Sequence, residues 1–172
     1  MEFRPGNLEA VHHAIIVAVP EGSADALEDA DPEYGYECFG GFGVFEMTDL
    51  LGGYAPGTKP NEWSNGLAQK IPAGWDLLVQ MHYAPVTEDM EDLTEINIFT
   101  VESESVERVI GSFTMVDPFI ILPPEQMTEV INTVEVPIDV DISVVSFFPH
   151  SHLLGDSWEV YATTLTNDTI PF

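Results

Sequence analysis

Short runs rich in β-branched and aromatic residues, separated by proline and glycine, recur along the chain. No long window sustains the apolar period of about 3.6 residues that an amphipathic helix requires. This pattern predicts an all-β protein whose short strands form antiparallel β-sandwiches. The predicted strands are Ala10 to Val19, Gly43 to Met47, Trp75 to Tyr83, Leu93 to Val101, Arg108 to Val116, Met127 to Val136, Asp141 to Phe148 and Ser157 to Leu165.

Two segments between these runs shape the predicted organisation. Glu21 to Glu33 is rich in alanine and aspartate and could form a helical turn, but Pro32 would end a helix, so we expect a surface loop. Glu102 to Glu107 is polar and charged and lies between two predicted strands. It is the expected boundary between two domains, residues 1–104 and 105–172.

The charge balance excludes several kinds of partner. The chain has 30 acidic residues against four basic ones, for a formal net charge of −26. It therefore lacks a cationic patch that could neutralise phosphates, which excludes nucleic-acid binding. The same excess would repel an anionic membrane surface, and no apolar run is long enough to cross a bilayer, so no membrane insertion is expected. The spread of acid along the chain favours a solvated surface suited to salty surroundings.

Two small features carry little chemistry. Cys38 is the only cysteine, so the chain cannot form an internal disulfide, and a small buried apolar side chain is expected there. Gly40 to Gly43 lacks the lysine and the following helix of a phosphate-binding loop. We expect this glycine-rich segment to form a turn.

The five histidines fall in three places, His12-His13, His82 and His150-Ser151-His152. Side chains alternate in an extended chain, so His150 and His152 would point the same way and could share one metal ion. Adjacent residues such as His12 and His13 would point to opposite faces of a regular strand. Joint ligation by this pair therefore requires a β-bulge or the use of different ring nitrogens.

The third place is the strand from Trp75 to Tyr83, where alternation puts Gln80 and His82 on one face and Val79 and Met81 on the other. We expect Gln80 to face a cleft with His82, while Val79 and Met81 pack inward. A nearby amide could orient the imidazole or line a cavity. Neutral imidazoles bind copper, zinc, nickel and iron, so histidines alone do not identify the metal.

Three stretches of sequence, in this order, carry a family resemblance. They are Val11-His12-His13-Ala14-Ile15-Ile16, then Ile71-Pro72-Ala73-Gly74 leading to Leu78-Val79-Gln80-Met81-His82-Tyr83, and Pro149-His150-Ser151-His152-Leu153-Leu154-Gly155. With Gly53-Tyr54-Ala55-Pro56-Gly57, they make the chain resemble the copper type II, ascorbate-dependent monooxygenases, and in particular the bacterial branch of this family. The matching stretches span nearly the whole sequence.

The resemblance implies two jelly-roll-like β-sandwich domains that face each other across a solvent cleft, each with one copper ion. By this resemblance, His12, His13 and His82 would hold the copper that passes an electron. The second copper, where oxygen binds and substrate is hydroxylated, would be held by the residues of the last stretch.

By the same resemblance, His150 and His152 would be two ligands of the second copper, and Gln80 would lie between the two sites. The third ligand in the family is a methionine well downstream of the His-x-His pair, and no methionine follows His152 in this sequence. The chain is therefore expected to be a fragment in which the second domain is incomplete.

The activity implied by the resemblance is hydroxylation of an aliphatic C–H bond of a small molecule by O2 and a one-electron donor such as ascorbate, in a secreted or periplasmic setting. Phe148 and Pro149 stand where the peptide-amidating member has an arginine for the substrate carboxylate, so an apolar or neutral substrate is expected. Two alternatives stay open. One is a copper-binding module without catalysis, and the other is a zinc lyase or hydrolase that uses His12, His13 and His82.

Overall fold

The structure, a computed structural model, describes residues 1–63, 66–115, 117, 119–136, 142–149, 151 and 154–172. It is an all-β fold with several antiparallel sheets, as predicted. A jelly-roll arrangement stays a prediction. The strands are β1 (Glu2–Arg4), β2 (Val11–Pro20), β3 (Gly52–Tyr54), β4 (Leu67–Gln69), β5 (Trp75–Tyr83), β6 (Glu95–Asn97), β7 (Arg108–Ile110), β8 (Tyr161–Thr163) and β9 (Thr169–Pro171); one helical turn, α1 (Asp25–Glu28), and a 3-10 turn (Ser103–Ser105) accompany them.

The described chain forms two compact units, Met1–Ile121 and Leu122–Phe172. In the first unit β7 pairs in parallel with β4, so the chain immediately beyond the segment expected to separate two domains belongs with the strands before it. The division therefore lies downstream of residue 104. In the second unit β8 and β9 form an antiparallel pair.

A three-stranded antiparallel sheet in the order β3-β2-β5 forms the centre of the first unit. Strand β2 is the central strand, and Ala14, Ile16, Val17, Ala18 and Val19 are each at most 1% exposed. Small and β-branched side chains suit a central strand because they pack against neighbours on both faces of the pleated surface. Burial of one large aliphatic side chain contributes about 1.5–3 kcal/mol to stability, so the buried side chains of β2 stabilise this unit strongly.

Each face of this sheet has its own apolar layer. On one face Ile16 and Ala18 pack with Leu51, and Phe3 and Trp75 lie against this cluster. On the other face Val17 and Val19 pack with Phe42, supported by Ile15, Val44 and Leu78. Because both faces are covered, the strand that carries His12 and His13 has a fixed orientation.

The glycine-rich segment forms the predicted turn and supplies one of these layers. Gly40 and Gly43 have backbone φ angles of 74° and 71°, a left-handed conformation that glycine adopts without a steric penalty. The turn places Phe42 on the sheet, where it is 7% exposed. Cys38, at the start of this segment, is half-buried, which corrects the expectation of a buried side chain.

Strands β2 and β5 confirm two of the predicted strands, and β5 has the predicted bounds. The strand predicted at Gly43 to Met47 is absent, and no strand forms at residues 127–136 or within the described residues 142–148. The predicted strands at Leu93 to Val101, Arg108 to Val116 and Ser157 to Leu165 shorten to three residues each. In these segments the apolar pattern predicted strands that are absent or too long, because a strand also needs a neighbouring strand for its backbone hydrogen bonds.

The segment Glu21 to Glu33 lies on the surface, as predicted, and contains the single turn α1, which buries no residue. In the part of the chain that the structure describes, no helix combines the length and the apolar character needed to span a membrane.

Candidate metal centre

The histidine site begins with an irregularity in the pairing of β2 with β5. Val11 pairs with Tyr83 and His13 pairs with His82, so His12 is an extra residue without a partner in β5. This is the geometry of a β-bulge, in which two residues of one strand oppose one residue of the other. Of the two alternatives that joint ligation by His12 and His13 allowed, a β-bulge or the use of different ring nitrogens, the bulge is therefore present.

The bulge changes which side chains share a face. Val11 packs with Ala14 and Tyr54, on the same face as Met81. His13 lies opposite His82, and the extra residue between Val11 and His13 allows His12 to reach the same cluster. In a regular strand the two adjacent imidazoles would point to opposite faces.

The three imidazoles converge, as predicted. The ring centroids of His12 and His13 are 5.2 Å apart, those of His12 and His82 5.0 Å, and those of His13 and His82 4.4 Å. One potential ligand atom from each ring lies within 4.8 Å of the other two. Within the described residues this is the one group of three or more histidine, cysteine or carboxylate side chains arranged to hold an ion. His12 and His82 are exposed and His13 is half-buried, so the cluster opens to solvent.

The donor set fits a transition-metal ion such as copper. Nitrogen ligands lie about 2.0–2.1 Å from a metal, which puts two ligands about 2.9–3.6 Å apart for bond angles between right and trigonal. The Nδ1 atoms of His12 and His13 are already 3.0 Å apart. At this distance one Nδ1 can donate a hydrogen bond to the other, in a direction set by the ring tautomers, and a metal ion bound to both atoms would replace that hydrogen bond. Three neutral imidazoles suit copper, zinc, nickel and iron, and the site does not distinguish among them.

Gln80 shares a strand face with His82, as predicted, but its side-chain amide is hydrogen-bonded to a loop. The Nε2 atom donates to the carbonyl oxygen of Gly41 at 2.9 Å and lies 3.1 Å from the Sγ atom of Cys38. Gln80 is half-buried and fixes the glycine-rich turn to the strand that carries His82. The Gln80 amide therefore stabilises the position of this turn beside the histidine site.

The opposite face of β5 agrees only in part with the prediction. Met81 packs against the cluster of Val11, Ala14 and Tyr54, as expected. Val79 is 36% exposed, so the prediction that it packs inward is wrong. Strand β5 is at the edge of its sheet, and a side chain on an edge strand lacks a neighbouring strand on one side.

His150 and His152 lie outside the described residues, so their pairing at a second metal stays a prediction. In the Gly53 to Gly57 motif, β3 ends at Tyr54 and pairs with β2 beside the site. A Cβ atom on Gly53 would come within 3.1 Å of the carbonyl oxygen of Ala14. The glycine thus permits close approach of β3 to the strand that carries His12 and His13.

One polar group at the site was not foreseen. The hydroxyl of Tyr83, the residue after His82, donates to Oδ2 of Asp92 at 3.1 Å. Burial raises the pKa of Tyr83 above 10, and the hydrogen bond to Asp92 and its negative charge raise it further. The sequence offered only a weak signal for this contact, an acidic run that follows the strand.

A comparison of the chain with protein-family models found no match, and searches among curated proteins and among solved structures also found none.

Proposed function

We propose that the chain is the copper-binding part of an ascorbate-dependent monooxygenase that hydroxylates an aliphatic C–H bond of a small molecule. The observation that carries the proposal is the convergence of His12, His13 and His82 across a β-bulge. These histidines stand in two of the sequence stretches by which the chain resembles that family. The all-β fold is the class of fold that the resemblance implies.

In this proposal His12, His13 and His82 hold one of two copper ions. When bound, copper supplies the one-electron chemistry that links a reductant to O2, which side chains alone do not perform. The protein contributes ligation and position. The buried strand β2 holds His13 opposite His82. The exposed sides of the His12 and His82 rings leave room for a small electron donor such as ascorbate.

His150 and His152 hold the second copper ion in this proposal, and the small-molecule substrate binds there together with O2. Gln80 contributes by fixing the wall of the histidine site through its bond to Gly41. Because the chain has so few cations, the substrate is neutral or apolar. A secreted or periplasmic location fits the same family resemblance.

A zinc lyase or hydrolase is the second candidate, favoured by one observation. Three histidines with a solvent-exposed side also describe catalytic zinc sites, in which the open position holds water. Affinity alone does not separate the candidates, since almost any nitrogen site binds copper more tightly than zinc. The decisive property is whether the bound metal changes its oxidation state.

The test begins with the metal content of protein purified without added metal, followed by loading with one equivalent of copper. We expect purified protein to contain copper, and copper-loaded protein to show a Cu(II) signal with nitrogen hyperfine splitting in electron paramagnetic resonance. Ascorbate should remove this signal and air should restore it. His82→Ala should abolish the nitrogen-rich signal, whereas the control Asp76→Ala, which removes an exposed carboxylate from the same strand, should keep it. Zinc in the purified protein, together with a copper signal that ascorbate leaves unchanged, would overturn the proposal.

A further inference from the structure

The carboxylate of Asp92 joins three segments of the chain next to the histidine cluster. Its Oδ1 atom accepts a hydrogen bond from the backbone N–H of Asn7 at 2.9 Å. Its Oδ2 atom accepts from the hydroxyls of Tyr83 at 3.1 Å and Thr94 at 2.8 Å. All three donors are neutral, so each bond is strengthened by the carboxylate charge without forming an ion pair.

The first connection leads to the start of β2. Asn7 forms the turn that precedes the strand, because its Oδ1 accepts from the N–H groups of Glu9 and Ala10 and its carbonyl oxygen accepts from the N–H of Val11 at 3.0 Å. Val11 is the last residue before the bulged His12. By holding Asn7, Asp92 fixes the direction in which the chain enters the bulge.

The second connection leads to the end of β5. Tyr83 directly follows His82 and pairs with Val11, and the N–H of Ala84 donates to the carbonyl oxygen of Ala10 at 2.7 Å. Both connections therefore end at the same pair, Val11 with Tyr83. This pair lies beyond the bulge, at the end of the β2–β5 ladder.

Such a pair needs support from outside the ladder. A bulge interrupts the regular hydrogen bonds, and the ends of secondary-structure elements open most easily. If the pair beyond the bulge opens, His12 loses its position although His13 and His82 remain paired. Asp92 is half-buried and reaches both strands of this pair.

We propose that Asp92 is a positioning residue of the three-histidine site, which holds the bulged His12 beside His13 and His82 by clamping the Val11–Tyr83 pair. It acts through these residues and is not itself a ligand. The identity of the metal as copper rests on the proposed function, but the clamp does not depend on which metal binds.

The test compares Asp92→Ala with Asp76→Ala as a matched control. Asp76 is also an aspartate whose carboxylate accepts a backbone N–H from a distant turn, that of Gly22 at 2.8 Å. It lies on β5 at the end away from the site, about 20 Å from His82 at 3.3 Å per residue. Both variants lose one negative charge and at least one bond that joins distant segments.

We expect Asp92→Ala to reduce copper affinity by about 10- to 100-fold, as removal of groups that orient metal ligands typically does, and to alter the Cu(II) hyperfine splitting. Asp76→Ala should change neither. Asp92→Asn should recover most of the affinity, because its amide oxygen can still accept from Asn7 and its NH2 can donate to the hydroxyls of Tyr83 and Thr94. Equal affinities and identical spectra for Asp92→Ala and Asp76→Ala would overturn the positioning role.

A measurement on metal-free protein separates this inference from the proposed function. The amides of Val11 and Ala84 are both hydrogen-bonded at the clamped end, so their hydrogen exchange reports its opening. Asp92→Ala should speed exchange at these two amides by at least tenfold while leaving the amides in the middle of β2 unchanged. Unchanged exchange at Val11 and Ala84 would refute the clamp even if copper binds, whereas faster exchange in a protein that proves to use zinc would support the clamp and refute only the copper activity.

Discussion

Deletion of His12 tests the bulge directly, because the pairs on either side of it are already in register. Val11 pairs with Tyr83 and His13 pairs with His82, two adjacent positions of β5. Removing His12 joins Val11 to His13 and leaves both pairs unchanged. Val11 stays on the face of Ala14 and Tyr54, and His13 stays beside His82. We therefore predict that the deletion variant folds with the same sheet but lacks one of the three imidazoles.

The expected change in stability is small because two effects oppose each other. Ordering the backbone of one residue on folding costs about 1–2 kcal/mol. The deletion removes this cost and so stabilises the folded state. The deletion also removes the hydrogen bond between the rings of His12 and His13, and a typical hydrogen bond contributes about 0.5–1.5 kcal/mol. The free energy of unfolding should therefore change by no more than about 1.5 kcal/mol, while copper affinity falls clearly.

Deletion of Ile15 is the matched control, because this residue lies in the regular part of the same strand. Its loss shifts the register by one and moves every side chain on one side of the deletion to the opposite face. Val11 and Ala14, which are at most 2% exposed, would leave their cluster. Each buried aliphatic side chain contributes about 1.5–3 kcal/mol, so several kcal/mol should be lost.

Urea unfolding followed by tryptophan fluorescence and circular dichroism measures both deletions. The midpoint for the His12 deletion should lie near that of the parent protein, and the Ile15 deletion should lower it strongly or prevent folding. Similar large losses for both deletions would refute the bulge at His12. Parent-like copper affinity in the His12 deletion would refute its role as a ligand.

Three further predictions concern the metal, the tyrosines and the substrate. Copper should fill the three-histidine site first, so in titrations with a competing chelator His82→Ala should weaken binding more than His150→Ala, and equal effects would contradict this order. Burial, then the charges of Cys38 and Glu28, raise the pKa of Tyr36 above 10, and its neutral hydroxyl donates to the carbonyl oxygen of Phe42. The pKa of Tyr36 is higher in the folded state than in the unfolded state. Its contribution to the free energy of unfolding is therefore complete below about pH 10 and is lost as the pH rises through the raised pKa. Tyr36→Phe should remove one of the steps that the raised pKa values of Tyr36 and Tyr83 place above pH 10 in the tyrosine absorbance titration, and an unchanged titration would contradict this. Peptides with a free glycine carboxylate should bind no more tightly than their amidated forms in calorimetry, because the chain has only four basic residues, and clearly tighter binding would contradict this.

The strands that carry the described histidines could be predicted because their local pattern is strong. Strand β2 is a nearly continuous apolar run, and β5 alternates between apolar and polar residues from Val79 to Tyr83. Strand geometry predicted that joint ligation by His12 and His13 needs either a bulge or different ring nitrogens, and the pairing of β2 with β5 has the bulge. That β2 and β5 lie close enough to bring their histidines together followed from the family resemblance and not from any local pattern.

The remaining features depend on contacts between distant residues. Strand β3 has the sequence Gly-Gly-Tyr, and three residues are too few to show a period. The long apolar runs after Ile121 predicted strands, yet Ile131 is 68% exposed and belongs to no strand. The bond between Asn7 and Asp92 joins residues 85 positions apart, so no local pattern indicates it.

The bulge explains why this site uses adjacent histidines where the second predicted site uses a His-x-His pair. The antiparallel ladder by itself places one residue of β2 opposite His82, and that residue is His13. In a regular strand the next side chain on the same face would stand two residues along, about 6.6 Å farther down the strand. With the bulge, the ring centroids of His12 and His82 lie 5.0 Å apart. Adjacent ligands such as His12 and His13 therefore need the extra residue of the bulge to share one face, whereas the two-residue spacing of His150 and His152 would need none in an extended chain.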